Sequence, residues 1–274
     1  MRPDVQTLPS FSIALVNYKT LELTKICLEL LKKHLDTGNI NAKNVDVWVV
    51  DNGSNDESTD YLRGLDWIHL IEREPVIGEE GFAAHGRGLD LILAQIKSDY
   101  VFLLHTDTFM YDADVFGLML RTCMSNQNIA AVGCLEQLNR GYLRTTWRIV
   151  SRFFKHYARR IKQSLGLKTK EPKPYREAYI KSFCALWNVK LMRRHQLTFL
   201  MGSRIPGYEI QDFFKQNGYA ISLISPMKLF KYLDHVEAGT VGLVSGYTDM
   251  NRRTKRKKSI LQKLGNHSKS DSNE

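Results

Sequence analysis

Two carboxylates stand where apolar runs stop. Asp51 closes VDVWVV and opens the polar cluster DNGSNDES, and Asp107 follows DYVFLLHT. A carboxylate at the end of a buried strand is held by that strand and faces the crevice where α/β proteins bind their ligands. There it accepts hydrogen bonds from a ribose hydroxyl or a base N–H, or it ligates a divalent cation. His105 precedes Asp107 by two residues, and His235 lies in YLDHVEAGT. Neutral imidazoles are good ligands for such cations. Two more acids, Glu209 and Asp212, open GYEIQDFFK, where a carboxylate serves as general base or simply complements a helix dipole. Gly78–Gly88, GEEGFAAHGRG, has glycines suited to close approach by a ligand, with Arg87 as a cation for phosphate oxygens. Plainer readings stand beside these. Asn52, Gly53, Ser54 and Asn55 are turn formers, Asp56 suits a helix cap, and a lone histidine is often structural.

These residues need elements to position them. FSIALVNY, VDVWVV, WIHLIE, DYVFLLHTDT and NIAAVGCLEQ read as strands, the fourth running to Thr108. Between them, TLELTKICLELLKKHL places Leu23, Ile26, Cys27, Leu30 and Leu31 at helical spacing, with Thr20 as N-cap. SNDESTDYLRGL starts a second helix, the glycine stretch passes from a loop into a third, and DVFGLMLRTCMSN forms a fourth. Strands alternating with helices at this spacing imply βαβ units and a doubly wound, mainly parallel sheet of the α/β class, flanked by helices. Asp51 and Asp107 then face one crevice. After residue 135 the pattern is less regular. An insertion at about 141–175 carries the amphipathic RIVSRFFKHYARRIKQSLG. AYIKSFCALWNVKLM returns to strand and helix, and GYEIQDFFKQNGYAISLIS reads as helix, a stop at Gly218, then strand.

Bulk properties bound the function. A chain of 274 residues suffices for one large domain, expected over residues 1–248, with a basic, disordered tail over 249–274. No run of apolar residues is long enough to span a bilayer, and MRPDVQTLPS does not read as a secretion signal. Cys27, Cys123, Cys134 and Cys184 show no CxxC spacing and read as reduced thiols, which points to a cytoplasmic protein. The net charge of +10 is uneven: Arg140–Arg176 holds twelve Lys or Arg and one acid, Glu171, and RRTKRKK spans Arg252–Lys258. Such runs are solvated faces or bind an anionic partner. Acids outnumber bases between Val45 and Asp114, which makes nucleic acid an unlikely guest of the crevice.

The order and spacing of SIALVNYKTLELTKICLELL, VDVWVVDNGSNDES and GFAAHGRGLDLILAQIKSDYVFLLHTDT resemble family 2 glycosyltransferases, inverting enzymes of the GT-A fold that use nucleotide-activated sugars. The likeness is good over about residues 10–135 and looser over 178–242. It implies a nucleotide-sugar donor, a glycan or lipid-linked acceptor, and Mg2+ or Mn2+ as cofactor. By the resemblance, Val16, Asn17 and Tyr18 hold the base through backbone groups, and Asp51 meets base or ribose. Gly81 and Arg87 reach the donor sugar and diphosphate. His105-Thr106-Asp107 takes the place of the DxD-type motif, with Asp107 on the metal and His105 and Thr106 toward the donor. His235 completes the metal shell. Two departures matter. His105 replaces the usual first acid or Asn, and Ile210 stands where the family's base follows the Glu. The base therefore falls to Asp212, favoured for its Asp-aromatic helix start, or to Glu209. The resemblance places the enzyme in glycan or cell-surface polysaccharide synthesis, cytoplasmic and perhaps peripheral at the inner membrane face through the basic insertion; the same insertion could instead pack on the domain or on a second subunit. A catalytically impaired GT-A scaffold and a basic nucleic-acid-binding protein are the alternative readings.

Overall fold

The computed structural model describes residues 8–135, 142–172 and 177–236. The expected tail over 249–274 lies outside the described residues. In chain order the elements are β1 (Phe11–Asn17), α1 (Leu21–Asp36), β2 (Val45–Asp51), α2 (Glu57–Arg63), β3 (His69–Glu72), α3 (Gly81–Gln95), β4 (Tyr100–His105), β5 (Thr108–Met110), α4 (Asp114–Met124), β6 (Ile129–Gly133), α5 (Tyr142–Ser164), β7 (Cys184–Asn188), α6 (Val189–Arg194), α7 (Tyr208–Gln216), β8 (Ala220–Leu223), α8 (Pro226–Leu229) and β9 (Leu233–His235).

Seven strands form one sheet in the order β3-β2-β1-β4-β7-β6-β8, and β5 pairs with β9 in a small second sheet. Strands β3, β2, β1 and β4 run parallel. β7 enters antiparallel between β4 and β6, and β8 runs parallel to β6. This is the mainly parallel sheet expected from the alternating pattern, and it agrees with the GT-A fold that the resemblance implied. The central strand shows why it needs helices on both faces. Every residue of β1 is buried. Its Phe11, Ile13 and Leu15 join one core with Leu28 and Leu31 of α1 and Phe116 and Met119 of α4. Ala14 and Val16 join another with Leu89 and Ile92 of α3 and Ile210 and Phe214 of α7. The period-two alternation of side chains thus feeds two cores from one strand.

Two sequence expectations change. The fourth strand does not run through to Thr108: β4 ends at His105, Thr106 and Asp107 turn, and β5 starts a separate ladder. The glycine stretch does pass from a loop into a helix, with α3 starting at Gly81, but its glycines serve a different contact. Gly86 and Gly88 lie inside that helix, and their close approach is to protein rather than ligand. A Cβ on Gly86 would meet Pro206 Cγ at 2.8 Å, and one on Gly88 would meet Val16 Cγ2 at 3.2 Å. Bare backbone at these two positions lets α3 lie flat on β1 and on the loop before α7. The same loop is pinned to α3 by Asp90, whose carboxylate accepts the backbone N–H groups of Phe199 at 2.5 Å and Leu200 at 3.1 Å.

Candidate active site

Register brings the chemistry to one edge. Asn17 lies opposite Asp51, and Val16 opposite His105. β1, β2 and β4 therefore end together, and antiparallel β7 begins where they end, since Leu104 lies opposite Cys184. The β5–β9 ladder sits just beyond, with Thr108 opposite His235.

On the β1–β2 side, Asn17 is the hub of a closed network. Its side-chain amide donates to Asp51 Oδ1 at 2.7 Å, Ser58 Oγ at 2.9 Å and Ser54 Oγ at 3.2 Å. Its Oδ1 accepts from the hydroxyls of Thr24 and Thr20. Asp51 is 1% exposed and also accepts from Ser54 Oγ at 2.5 Å, the Ser54 backbone N–H at 3.1 Å and Thr59 Oγ1 at 2.9 Å. These bonds tie the carboxylate to the turn over 52–58; the resemblance placed it at a base or ribose. Thr20, expected as an N-cap, makes no capping bond; its hydroxyl serves Asn17 and lies 3.3 Å from that of Thr106. Thr106 is accordingly buried. Asp56 does cap α2, accepting from the Ser58 N–H.

The β4 side is built differently. His105, Asp107 and His235 offer one ligand atom each, all within 4.8 Å of one another. His235 Nε2 lies 3.0 Å and His105 Nδ1 3.9 Å from Asp107 Oδ1. His235 is 2% exposed; its Nδ1 has no hydrogen-bond partner among the described residues, and its Nε2 faces the Asp107 carboxylate without hydrogen-bond geometry. Its ring stacks on Phe183, with centroids 4.7 Å apart, and β9 pairing holds the backbone, so the imidazole is aimed without being satisfied. Buried polar atoms are nearly always paired. A buried carboxylate facing two imidazoles, each offering one nitrogen, is what a divalent cation would complete, and His₂Asp suits Mn2+ better than the oxygen-preferring Mg2+. His105 Nε2 is hydrogen-bonded to Ser182 Oγ at 2.8 Å, which fixes the ring with Nδ1 toward Asp107. Burial first, then repulsion from His85, outweighs the pull of Asp107 and keeps His105 well below the ordinary imidazole range. It is neutral, the form that binds metal.

His85 was not legible as a site residue. Its ring meets His105 edge-on at 5.4 Å, burial lowers its pKa to about 4, and its Nε2 is buried without a hydrogen-bond partner among the described residues. A helix start placed at Gly81 would have shown it, because His85 and Gly88 share the face of α3 that meets the sheet.

The remaining candidates divide. Gly81 is the exposed first residue of α3, where backbone N–H groups lack partners within the helix. Arg87 is exposed and pairs with Glu79 at 2.9 Å, and the same Glu79 takes Arg73 at 2.6 Å. Tyr18 is half-exposed, with the Lys19 ammonium 5.4 Å from its ring centre. At α7 the two acids differ. Asp212 accepts from Arg204 at 2.6 Å and from Tyr179 at 3.0 Å. Burial pushes its pKa up, but these hydrogen bonds outweigh it and hold the carboxyl below the usual range. Glu209 keeps a buried Oε2 with no partner among the described residues. One strap joins these places: leaving the insertion, Tyr179 bonds Asp212, Gln211 bonds both the N–H and the carbonyl of Ile180, and Ser182 bonds His105.

A doubly wound sheet with a histidine–carboxylate cluster at its carboxyl edge defines a ligand-binding α/β fold of the GT-A type. The model of glycosyl transferase family 2 matches residues 12–185, more than half of the chain, and the chain belongs to that family. No curated protein sequence matches it significantly. Among solved structures, the mannosyltransferase PcManGT from Pyrobaculum calidifontis, in complex with GDP-Man and Mn2+, is 14% identical with a TM-score of 0.55; the match covers 81% of this chain and 56% of that one. Glucosyl-3-phosphoglycerate synthase from Mycobacterium tuberculosis, in complex with Mn2+, UDP and glucosyl-3-phosphoglycerate, is 14% identical with a TM-score of 0.51, covering 81% of this chain and 71% of that one. At such identities the likeness is one of fold.

Proposed function

We propose that this chain transfers a sugar from a nucleotide-sugar donor to an acceptor hydroxyl with inversion at the anomeric carbon, in the synthesis of a glycan or cell-surface polysaccharide. The observation that carries the reading is the His105–Asp107–His235 cluster, a buried carboxylate facing two imidazole nitrogens at the carboxyl edge of the sheet. Asp107 and His235 would hold Mg2+ or Mn2+, with His105 beside them. When bound, the cation offsets the negative charge that collects on the leaving nucleoside diphosphate. The pairing of a nucleotide with Mn2+ in the two similar structures supports this reading.

The chain's own residues supply the rest. The β1 exit, Val16–Tyr18, is set by the Asn17–Asp51 network to receive the base. Asp51 acts through that loop as a positioning residue. The open N-terminus of α3 at Gly81 suits a diphosphate, with Arg87 available once it leaves Glu79. An inverting transfer needs one carboxylate to take the acceptor proton. Glu209 suits that part better than Asp212, because Arg204 and Tyr179 already stabilise the Asp212 anion and weaken it as a base.

The test is a panel of UDP- and GDP-sugars with and without Mn2+, read by thermal shift and by release of nucleoside diphosphate, with the anomeric configuration of the product followed by NMR. Donor-dependent stabilisation that requires Mn2+ and disappears in Asp107→Ala is the expected result. Metal-dependent binding without turnover would favour the impaired scaffold. Absence of any nucleotide effect, or retention of configuration, would overturn the reading.

A further inference from the structure

The helix of the basic insertion is mounted inside out. A surface helix ordinarily turns its apolar stripe to the core and its charges to water. Among the α5 side chains described, the half-buried ones are Ile149, Ser151, Arg152, His156 and Arg159, mostly the polar side. Arg152 pairs with Glu177 at 3.0 Å, and Arg159 donates to the Glu171 carbonyl at 3.3 Å. At 100° per residue, Trp147, Val150, Phe153, Phe154, Tyr157, Ile161 and Leu165 share the opposite face. All seven are exposed, Trp147 at 72%, Phe154 at 66%, Ile161 at 59% and Leu165 at 68%.

Charge identifies the occupant. The helix contains Arg144, Arg148, Arg152, Lys155, Arg159, Arg160 and Lys162 and no Asp or Glu. Exposed Lys155 and Lys162 follow one edge of the apolar face and Arg160 the other. A second copy would bring the same cations to the same edges, and like charges would oppose the pairing. A nucleic acid would meet the cations but leave the wide aromatic face in water. An anionic bilayer satisfies both: apolar side chains enter the acyl boundary, Trp and Tyr prefer its interfacial layer, and flanking Lys and Arg reach the headgroups. No helix among the described residues is long and apolar enough to cross a membrane, so the contact is peripheral.

We propose that α5 is a membrane-docking helix that seats the protein on anionic lipid. The strap that leaves the insertion runs through Glu177, which holds Arg152, to Tyr179 at Asp212 and Ser182 at His105. Docking therefore sets the height of the acceptor side of the cluster above the bilayer, and the acceptors reached first are hydroxyls carried at the membrane surface. The docking itself does not depend on the proposed reaction.

Co-sedimentation of the full chain with phosphatidylglycerol vesicles, against phosphatidylcholine vesicles, tests it. Partitioning should be about tenfold stronger on the anionic vesicles and should weaken as salt is raised. Phe154→Glu with Ile161→Glu should abolish it while leaving the melting temperature and nucleotide binding unchanged, since both side chains are exposed and lie outside the cluster. Lys155→Glu with Lys162→Glu should reduce only the anionic preference. Equal recovery with both vesicle types would overturn the proposal. So would a concentration-dependent dimer in size exclusion that Phe154→Glu abolishes in the absence of vesicle binding, because that would make a second copy the occupant.

Discussion

Asp51 and Asp107 leave the same edge of the sheet, one strand to either side of β1, and both are nearly inaccessible to water. Their neighbours treat them in opposite ways. Asp51 receives bonds from Asn17, Ser54 and Thr59, and the hub beside it is closed by Ser58, Thr20 and Thr24. Asp107 instead meets His235 Nε2 at 3.0 Å and His105 Nδ1 at 3.9 Å, and the far nitrogen of His235, Nδ1, has no hydrogen-bond partner among the described residues. A polar network that is complete by itself holds shape. One left incomplete at a cost of order 1–3 kcal/mol per orphaned group keeps that place for something else. Sequence position alone made these two acids look alike, and hydrogen-bond accounting separates them.

The contrast can be broken most directly at Asp107. Asp107→Ala should reduce Mn2+-dependent turnover by about a thousandfold with little change in melting temperature. A large loss of stability with turnover retained would reverse the assignment of roles. Asn17→Ala should do the opposite. It strips three donated and two accepted bonds and should cost about 3 kcal/mol in a urea melt, roughly 150-fold in the folding constant, while turnover per folded molecule falls far less. At α7, Glu209→Gln should lower turnover by about a hundredfold with donor affinity unchanged, and Asp212→Asn by less than about tenfold. The reverse order would return the base to Asp212. The smallest effect concerns acid. Burial raises the Glu177 carboxyl, but Lys181 and Arg152 outweigh it and leave it below its usual 4.5. Its contribution is therefore fully present above that value and fades as pH falls through the lower folded value. An acid titration of Arg152→Ala beside the parent should differ by under about 1 kcal/mol, with the gap closing at the acid end.

Much of this was legible because the parallel half advertises itself. Runs such as SIALV and VWVV are apolar on both faces, as strands buried between two helix layers must be, and each ends in polar residues that mark the edge. Asp107 and His235 were singled out in the sequence, and the fold brings them within reach of each other. What escaped was set by tertiary pairing. CALWN reads the same in either direction, so the antiparallel entry of β7 could not be seen. β5 and β9 have three residues each, too few for a period. His85 was hidden because the sequence did not show where in the glycine stretch the helix begins, and packing against Pro206 and Val16 sets that face of α3 on the sheet. The internal saturation of Asp51 depends on Asn17, thirty-four positions earlier, a distance at which motif spacing carries no information. The insertion's amphipathic pattern was plain in the sequence, whereas the direction its apolar face points was not.

The small β5–β9 ladder has a consequence for how the protein comes into being. His235 reaches Asp107 only when β9, the last described element, pairs with a strand made more than a hundred residues earlier. Contacts of such wide sequence separation form late, since loop closure must come before any reward from pairing. A chain still emerging from the ribosome can assemble β1 to β4 with their helices and yet lack one corner of the cluster. A chain made only as far as β8 would then hold His105 and Asp107 in place without the third member of the cluster.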